Sequence, residues 1–285
     1  MEHDTHAIYP RGCAMDGGGL KRRVRDFWNE NPCGVVYAGG ESRRAYYDGQ
    51  ARTRYELEPY IRAFARFEEG HDKDVLEVGI GMGADHLEWA NARPRSLTGI
   101  DLTLMAVEHT KERFELQGFT PCVFVADAEW LPFRDASFDI VYSWGVLHHS
   151  PDTAKGVEEV SRVLRPGGRA RIMLYHKRSI TGLLLWLRYG LMAGRPFRSW
   201  SEIYSHHLES PGTKAFTVEE ARRMFSRFRH VEISLRLSIG DLLEGAAGQR
   251  HGGEFLRLMR GLWPRWLMRR FCRRFGLCML IEAVK

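Results

Sequence analysis

The run Val75-Leu76-Glu77-Val78-Gly79-Ile80-Gly81-Met82-Gly83 constrains this chain more than any other stretch. A short apolar segment suited to a buried strand leads straight into alternating glycines, and a helical pattern opens behind them. Glycine at such a junction lets the backbone turn sharply and approach a ligand, while the helix start offers unpaired N–H groups. Around this run, apolar segments recur at 74–79, 96–101, 121–127, 138–143 and 169–175. Helical patterns lie between them at 84–92, 103–117 and 152–164, where Val157, Val160 and Leu164 fall on one face. Strand–helix alternation of this kind predicts a parallel sheet covered by helices on both faces. Two further strand candidates, 230–237 and 278–284, read as late antiparallel additions. The expected class is α/β, a doubly wound sheet of about seven mostly parallel strands.

Acidic residues follow the strand ends in a pattern that suits a cationic, nucleoside-bearing ligand. Glu77 stands two residues before the first glycine, where a carboxylate meets positive charge. Asp101 ends the second strand, 22 residues after Gly79, where an acid can accept from both ribose hydroxyls. Asp127 ends the third, beside Ala128 and the apolar turn Trp130-Leu131-Pro132-Phe133, a setting for an adenine ring. The glycine turn alone also satisfies the looser dinucleotide form G-x-G-x-x-A, so a nicotinamide oxidoreductase is an alternative.

Together these motifs, with Phe138-Asp139, Leu147-His148-His149 and Leu164-Arg165-Pro166-Gly167-Gly168 in order, resemble the class I S-adenosylmethionine-dependent methyltransferases, in the type 11-like small-molecule branch. The resemblance covers about residues 73–175. It implies a Rossmann-like core and S-adenosylmethionine as methyl donor; no metal is expected, because the histidines lack a matching carboxylate or cysteine pattern. It also implies Gly79, Gly81 and Gly83 around the methionine part, Asp101 and Leu102 at the ribose, and Asp127 and Ala128 at the adenine. Trp144, ending the fourth strand, joins that donor set, and the LRPGG stretch is expected to be a structural turn. The Asn/Asp-Pro-Pro-aromatic motif of base-modifying enzymes is missing after the fourth strand, so nucleic acid is not the expected acceptor.

The acceptor side is drawn from the other carboxyl ends of the sheet, where open α/β folds bind ligands. His148, His149, Tyr175 and His176 are the candidate catalytic groups, since histidine titrates near neutrality. Trp28, Tyr46, Tyr47, His206 and His207 are candidate acceptor contacts. The aromatic residues 1–70 are expected to form a helical lid, 71–175 the donor-binding core, 176–216 an inserted acceptor-side segment and 217–285 the end of the core. There Thr217-Val218-Glu219-Glu220 has the form of a capping box.

Composition narrows the surroundings. The net charge of +6 is local: residues 250–274 hold eight arginines against Glu254. This basic amphipathic segment is expected to be a helix whose arginine stems cover the sheet edge, in preference to a membrane contact. A lipid-like or RNA acceptor held by it, or a non-catalytic donor-binding protein, are the remaining alternatives. The five cysteines show no C-x-x-C spacing, so reduced thiols and a cytoplasmic setting are expected. The longest apolar run, near Gly182–Leu187, stops at Arg188 and is too short to span a bilayer.

Overall fold

The computed structural model describes residues 17–244 and 260–285. Its frame is a seven-stranded sheet in the order β3-β2-β1-β4-β5-β7-β6. The strands are β1 Asp74–Val78, β2 Ser96–Asp101, β3 Val123–Val125, β4 Phe138–Trp144, β5 Leu164–Tyr175, β6 His230–Arg236 and β7 Cys278–Val284. β1 to β5 pair in parallel, while β7 runs antiparallel to both β5 and β6. β6 therefore points the same way as the first five, and only one of the two late strands is reversed. β3 is also shorter than its apolar run suggested, and β5 begins earlier, at Leu164. The expected turn at LRPGG is thus part of the strand, where the pairing register with β4 shifts between Phe138 and Ile140.

The pleat sorts the side chains into two cores. Leu76 and Val78 of β1, Val141 of β4, and Ile172 and Leu174 of β5 face one side. They meet Val157 and Val160 of α6 (Thr153–Val163), and Ala221 of α9 (Val218–Met224) with Phe225. Val75, Ile140, Tyr142, Trp144, Met173 and Tyr175 face the other side. There they meet α3 (Tyr60–Ala65), α4 (Ala84–Asn91), α7 (Ile180–Trp186) and α8 (Trp200–His207). Period-two alternation with both faces covered is what a parallel sheet requires.

Local chemistry fixes the helix starts. Thr103 accepts from Ala106 N ahead of α5 (Leu104–Gln117), and Asp152 accepts from Lys155 N ahead of α6. The Thr217–Glu220 capping box is closed in both directions. The N-terminal region forms α1 (Gly17–Glu30), a 3-10 turn at Val35–Tyr37, and α2 (Arg43–Leu57) before α3. Residues 176–216 carry α7, which runs into a π-helical turn at Leu187–Leu191, and then α8.

The basic segment departs from its expectation. Residues 250–259 lie outside the described residues. The rest forms α11 (Arg265–Phe271), preceded by α10 (Ile239–Leu242), and no residue of α11 is buried. Of the described residues, only the end of the segment, at Arg273–Phe275, approaches the edge strand β6. Among the described residues no helix is long and apolar enough to cross a membrane.

Candidate active site

The sheet order reverses between β1 and β4, and a cavity of about 430 Å³ opens above that point, at the carboxyl ends of the strands. This is the crevice that open α/β sheets use for ligands. The glycine turn forms one wall. Gly79, at φ +83°, could not carry a side chain, because a Cβ would stand 2.0 Å from Val146. Gly81, at φ +51°, would point a Cβ into open space. The turn is therefore packed behind and clear in front, a cradle left for a ligand.

Asp101 borders that cradle. Its carboxylate accepts from Gly81 N at 3.2 Å and from Thr103 N and Oγ1 at 2.9 and 2.8 Å, which fixes its direction. Burial pushes its pKa up, against those hydrogen bonds. Glu77 also lines the cavity, yet it is buried and paired with His86, whose Nδ1 lies 2.9 Å from Glu77 Oε2. Burial raises the Glu77 carboxyl well above the ordinary range and lowers the His86 imidazole to about 3. Asp127 and Ala128 form the far end, with Leu102 between. Gly83 stands apart: a Cβ there would meet Thr110, so it serves helix packing and does not line the cavity.

Two groups at this wall had no signal in the sequence. Lys21 of α1 donates to Asp127 at 2.5 Å and to Glu129 at 2.6 Å. Burial opposes its charge, but these two bonds raise its pKa overall. Arg54 of α2, also on the lining, is held by Asp85 at 2.7 Å, and Asp85 further accepts from Tyr55 and Tyr142. Isolated Lys or Arg in a polar helix carries no periodic mark that separates it from solvent-facing neighbours.

Across the cavity lie Trp28, His149, Tyr175 and Glu209. Trp28 packs edge-on against His149, with ring centroids 5.2 Å apart. His149 Nε2 lies 3.4 Å from Glu209 Oε2, and Tyr175 OH donates to that same oxygen at 2.7 Å. His149 Nδ1 is held by two hydroxyls, Ser210 Oγ at 2.9 Å and Thr213 Oγ1 at 3.1 Å, and the Thr213 hydroxyl donates in turn to the Ser210 carbonyl at 2.6 Å. The Glu209 carboxylate beside Nε2 favours a proton on that nitrogen and so favours the imidazolium form of the ring. Glu209 was missed by the sequence reading, although it lies two residues past His207. It follows the end of α8, where the chain turns back on the sheet.

The remaining candidates fall elsewhere. His148 is fully buried behind His149 and stacks on Tyr175 at 3.9 Å; burial lowers its pKa well below the usual histidine value. His176 is pinned at the sheet edge, donating from Nδ1 to Gly276 O at 3.2 Å. Tyr47 is buried between α2 and α5 with its hydroxyl on Glu112, and Tyr46 packs edge-on against it. His207 stacks on Tyr189 at 3.8 Å, and His206 is exposed at the end of α8. None of these lines the cavity. Adjacent histidines on a tight 3-10 turn cannot both face one side, and so His149 alone reaches it. One ligand atom each from His148, His149 and Glu209 lies within 4.8 Å of the others, a spacing that could also hold an ion.

The sheet order and crevice define a Rossmann-like methyltransferase fold, shared with solved structures of low sequence identity. An S-adenosylmethionine-dependent methyltransferase from Mesorhizobium loti superposes with TM-score 0.53 at 19% identity, covering 84% of this chain and all (100%) of that one. Phosphoethanolamine N-methyltransferase 2 of Haemonchus contortus, solved with phosphomonomethylethanolamine and S-adenosylhomocysteine, gives 0.58 at 16% identity, covering 92% and 60%. Residues 76–172 match the family model described as a methyltransferase domain. They are a class I S-adenosylmethionine-dependent methyltransferase domain of the type 11 kind.

The chain is 39% identical over 97 residues to the 27-O-demethylrifamycin SV methyltransferase of Amycolatopsis mediterranei, a match covering 33% of this chain and 36% of that protein. It is 41% identical over 119 residues to the phthiotriol/phenolphthiotriol dimycocerosates methyltransferase of Mycobacterium tuberculosis, covering 41% and 42%. The match thus spans less than half the length of these curated relatives.

Proposed function

We propose that this chain transfers a methyl group from S-adenosylmethionine to a hydroxyl of a small-molecule acceptor. One observation carries the reading: a single cavity joins the open glycine cradle and Asp101 to a histidine whose Nε2 lies 3.4 Å from a carboxylate. The residues suit the donor. Asp101 has the acceptor capacity for ribose hydroxyls, Asp127 for an adenine amino group, and Arg54 supplies a fixed cation for a carboxylate. When bound there, the donor supplies an electrophilic methyl on a sulfonium that leaves as a neutral thioether.

What remains for the protein is alignment and one proton. Holding the acceptor oxygen in line with the methyl accounts for most of the acceleration, up to about 7–11 kcal/mol. His149 Nε2 takes the hydroxyl proton, worth about 10²–10⁴-fold. Glu209 stabilises the imidazolium that forms, and Tyr175 holds Glu209 in place. A thiolate acceptor would leave this arrangement without work. The walls beyond His149, including Leu184, Leu187, Leu208 and Leu243, favour an acceptor with an apolar body.

The test uses the labelled donor and hydroxylated apolar probes, among them 27-O-demethylrifamycin SV and phenolphthiotriol dimycocerosates, the compounds in the relatives' names. Label should appear on oxygen and survive chelation by EDTA. His149→Ala should lower kcat by about 10²–10⁴-fold with donor affinity nearly intact. Transfer only to amines or thiols, or full turnover in His149→Ala, would sink the hydroxyl reading.

A further inference from the structure

We propose that residues 260–275 form a docking surface for an anionic lipid bilayer. From Arg260 to Ile281 the chain has six arginines and no acidic residue. α11 within it buries nothing, and it exposes Trp266 at 72% and Phe271 at 62%, with Leu262 at 73% just before it. Apolar side chains scattered singly over a surface need no partner, but a leucine, a tryptophan and a phenylalanine all exposed within ten residues do. Arg265 and Arg269 are turned toward Glu244. Arg270, Arg273 and Arg274 are exposed, and the Arg270 and Arg274 guanidiniums lie 5.3 and 4.9 Å from the Phe271 and Phe275 rings.

Cations interleaved with exposed aromatics are the composition of a helix that lies in a headgroup layer. Both halves are used there: the arginines meet anionic headgroups and the rings enter the acyl boundary. RNA would match the arginines, and its bases could stack on the rings. It would leave the exposed aliphatic Leu262 and Leu267 without use, which decides for the bilayer.

The stretch that follows α7 also exposes Leu191, Met192 and Phe197, the last at 99%. α7 and the start of the basic stretch meet on the same residue of α10. Thr181 N donates to Asp241 Oδ1 at 2.8 Å, and Trp263 Nε1 donates to Asp241 O at 2.9 Å. Directly behind, Ile239 and Leu243 line the apolar end of the cavity. The docking surface rests on no assumption about the reaction. Joined to methyl transfer, it makes the acceptor an amphiphile drawn from a membrane.

The experiment is cosedimentation of the full chain with vesicles of phosphatidylcholine alone or with a third phosphatidylglycerol. The protein should pellet with the anionic vesicles at low salt and be released at roughly 0.5 M salt, where the Debye length is about 4 Å. Each arginine near an anionic surface contributes about fivefold, so Arg270→Gln with Arg273→Gln and Arg274→Gln should weaken partitioning by about a hundredfold. Trp266→Ser with Phe271→Ser should weaken pelleting at low salt with every arginine still in place. All five positions are exposed, so melting curves should be unchanged, and methyl transfer to a water-soluble probe is a separate readout. No pelleting, pelleting indifferent to both variants, or preferential capture by a poly(U) oligonucleotide would overturn the proposal.

Discussion

Gly79 and Gly81 stand two residues apart in one turn and fail for different reasons when given a side chain. At Gly79 a Cβ would collide with Val146 and the backbone is left-handed, so Gly79→Ala should cost about 2–4 kcal/mol of stability, from overpacking and the left-handed penalty together. At Gly81 the space is open, so Gly81→Ala should cost only about 1–2 kcal/mol and weaken donor binding instead. Urea melts and donor titrations on the two variants check the division; equal loss of both properties in each would contradict it. On the acceptor side, Glu209→Gln keeps the bond from Tyr175 but removes the charge beside His149. The loss should be about 10- to 100-fold, the worth of a charge-assisted hydrogen bond, and confined to kcat. A raised KM with unchanged kcat would make Glu209 an acceptor contact. The donor wall was legible residue by residue because glycines and strand-end acids have forced positions. Glu209 and Lys21 were not, because a charge on a loop or a polar helix becomes functional only through a contact between distant segments.

α1 spans the cavity. Lys21 ties it to Asp127 and Glu129 at one end, and Trp28 packs on His149 at the other. We propose that it acts as a lid over both reactants, keeping water from the cavity. Lys21→Ala removes a part-buried ion pair worth about 1 kcal/mol, so the donor should dissociate about fivefold faster, with association little changed. Stopped-flow release that is unchanged would make α1 a fixed cap. Most element boundaries follow from the apolar period, and β2 and β7 match it to the residue. Two exceptions have physical causes. β5 extends back through a proline and two glycines because its partner β4 begins at Phe138 and pairs with Leu164. α11 stays exposed although its pattern is amphipathic, since Arg265 and Arg269 tie it to Glu244 after α10 and none of its residues is buried.

At the scale of the whole molecule, the buried Glu77–His86 pair couples the fold to pH. Glu77 has its folded pKa raised above the ordinary 4.5, so its contribution is present below that value and lost as pH rises. His86 is lowered from 6.5 to about 3, so its contribution is present above 6.5 and lost as pH falls. Between 4.5 and 6.5 the two slopes oppose each other, and above 6.5 only that of Glu77 is left. Stability should therefore fall above pH 6.5, by at most about 1.4 kcal/mol per pH unit, and Glu77→Gln should abolish that limb. Urea midpoints for both proteins across this range measure it, and parallel curves would mean that Glu77 is already ionised.

The central claim, that the crevice above β1 and β4 is built for S-adenosylmethionine, is tested most directly by calorimetric titration. The purified protein should bind S-adenosylmethionine and S-adenosylhomocysteine, and Asp101→Ala, still folded, should bind both at least about 10-fold more weakly, the worth of a lost charge-assisted hydrogen bond. Unchanged affinity in Asp101→Ala, or binding of a nicotinamide dinucleotide in place of the methyl donor, would contradict it.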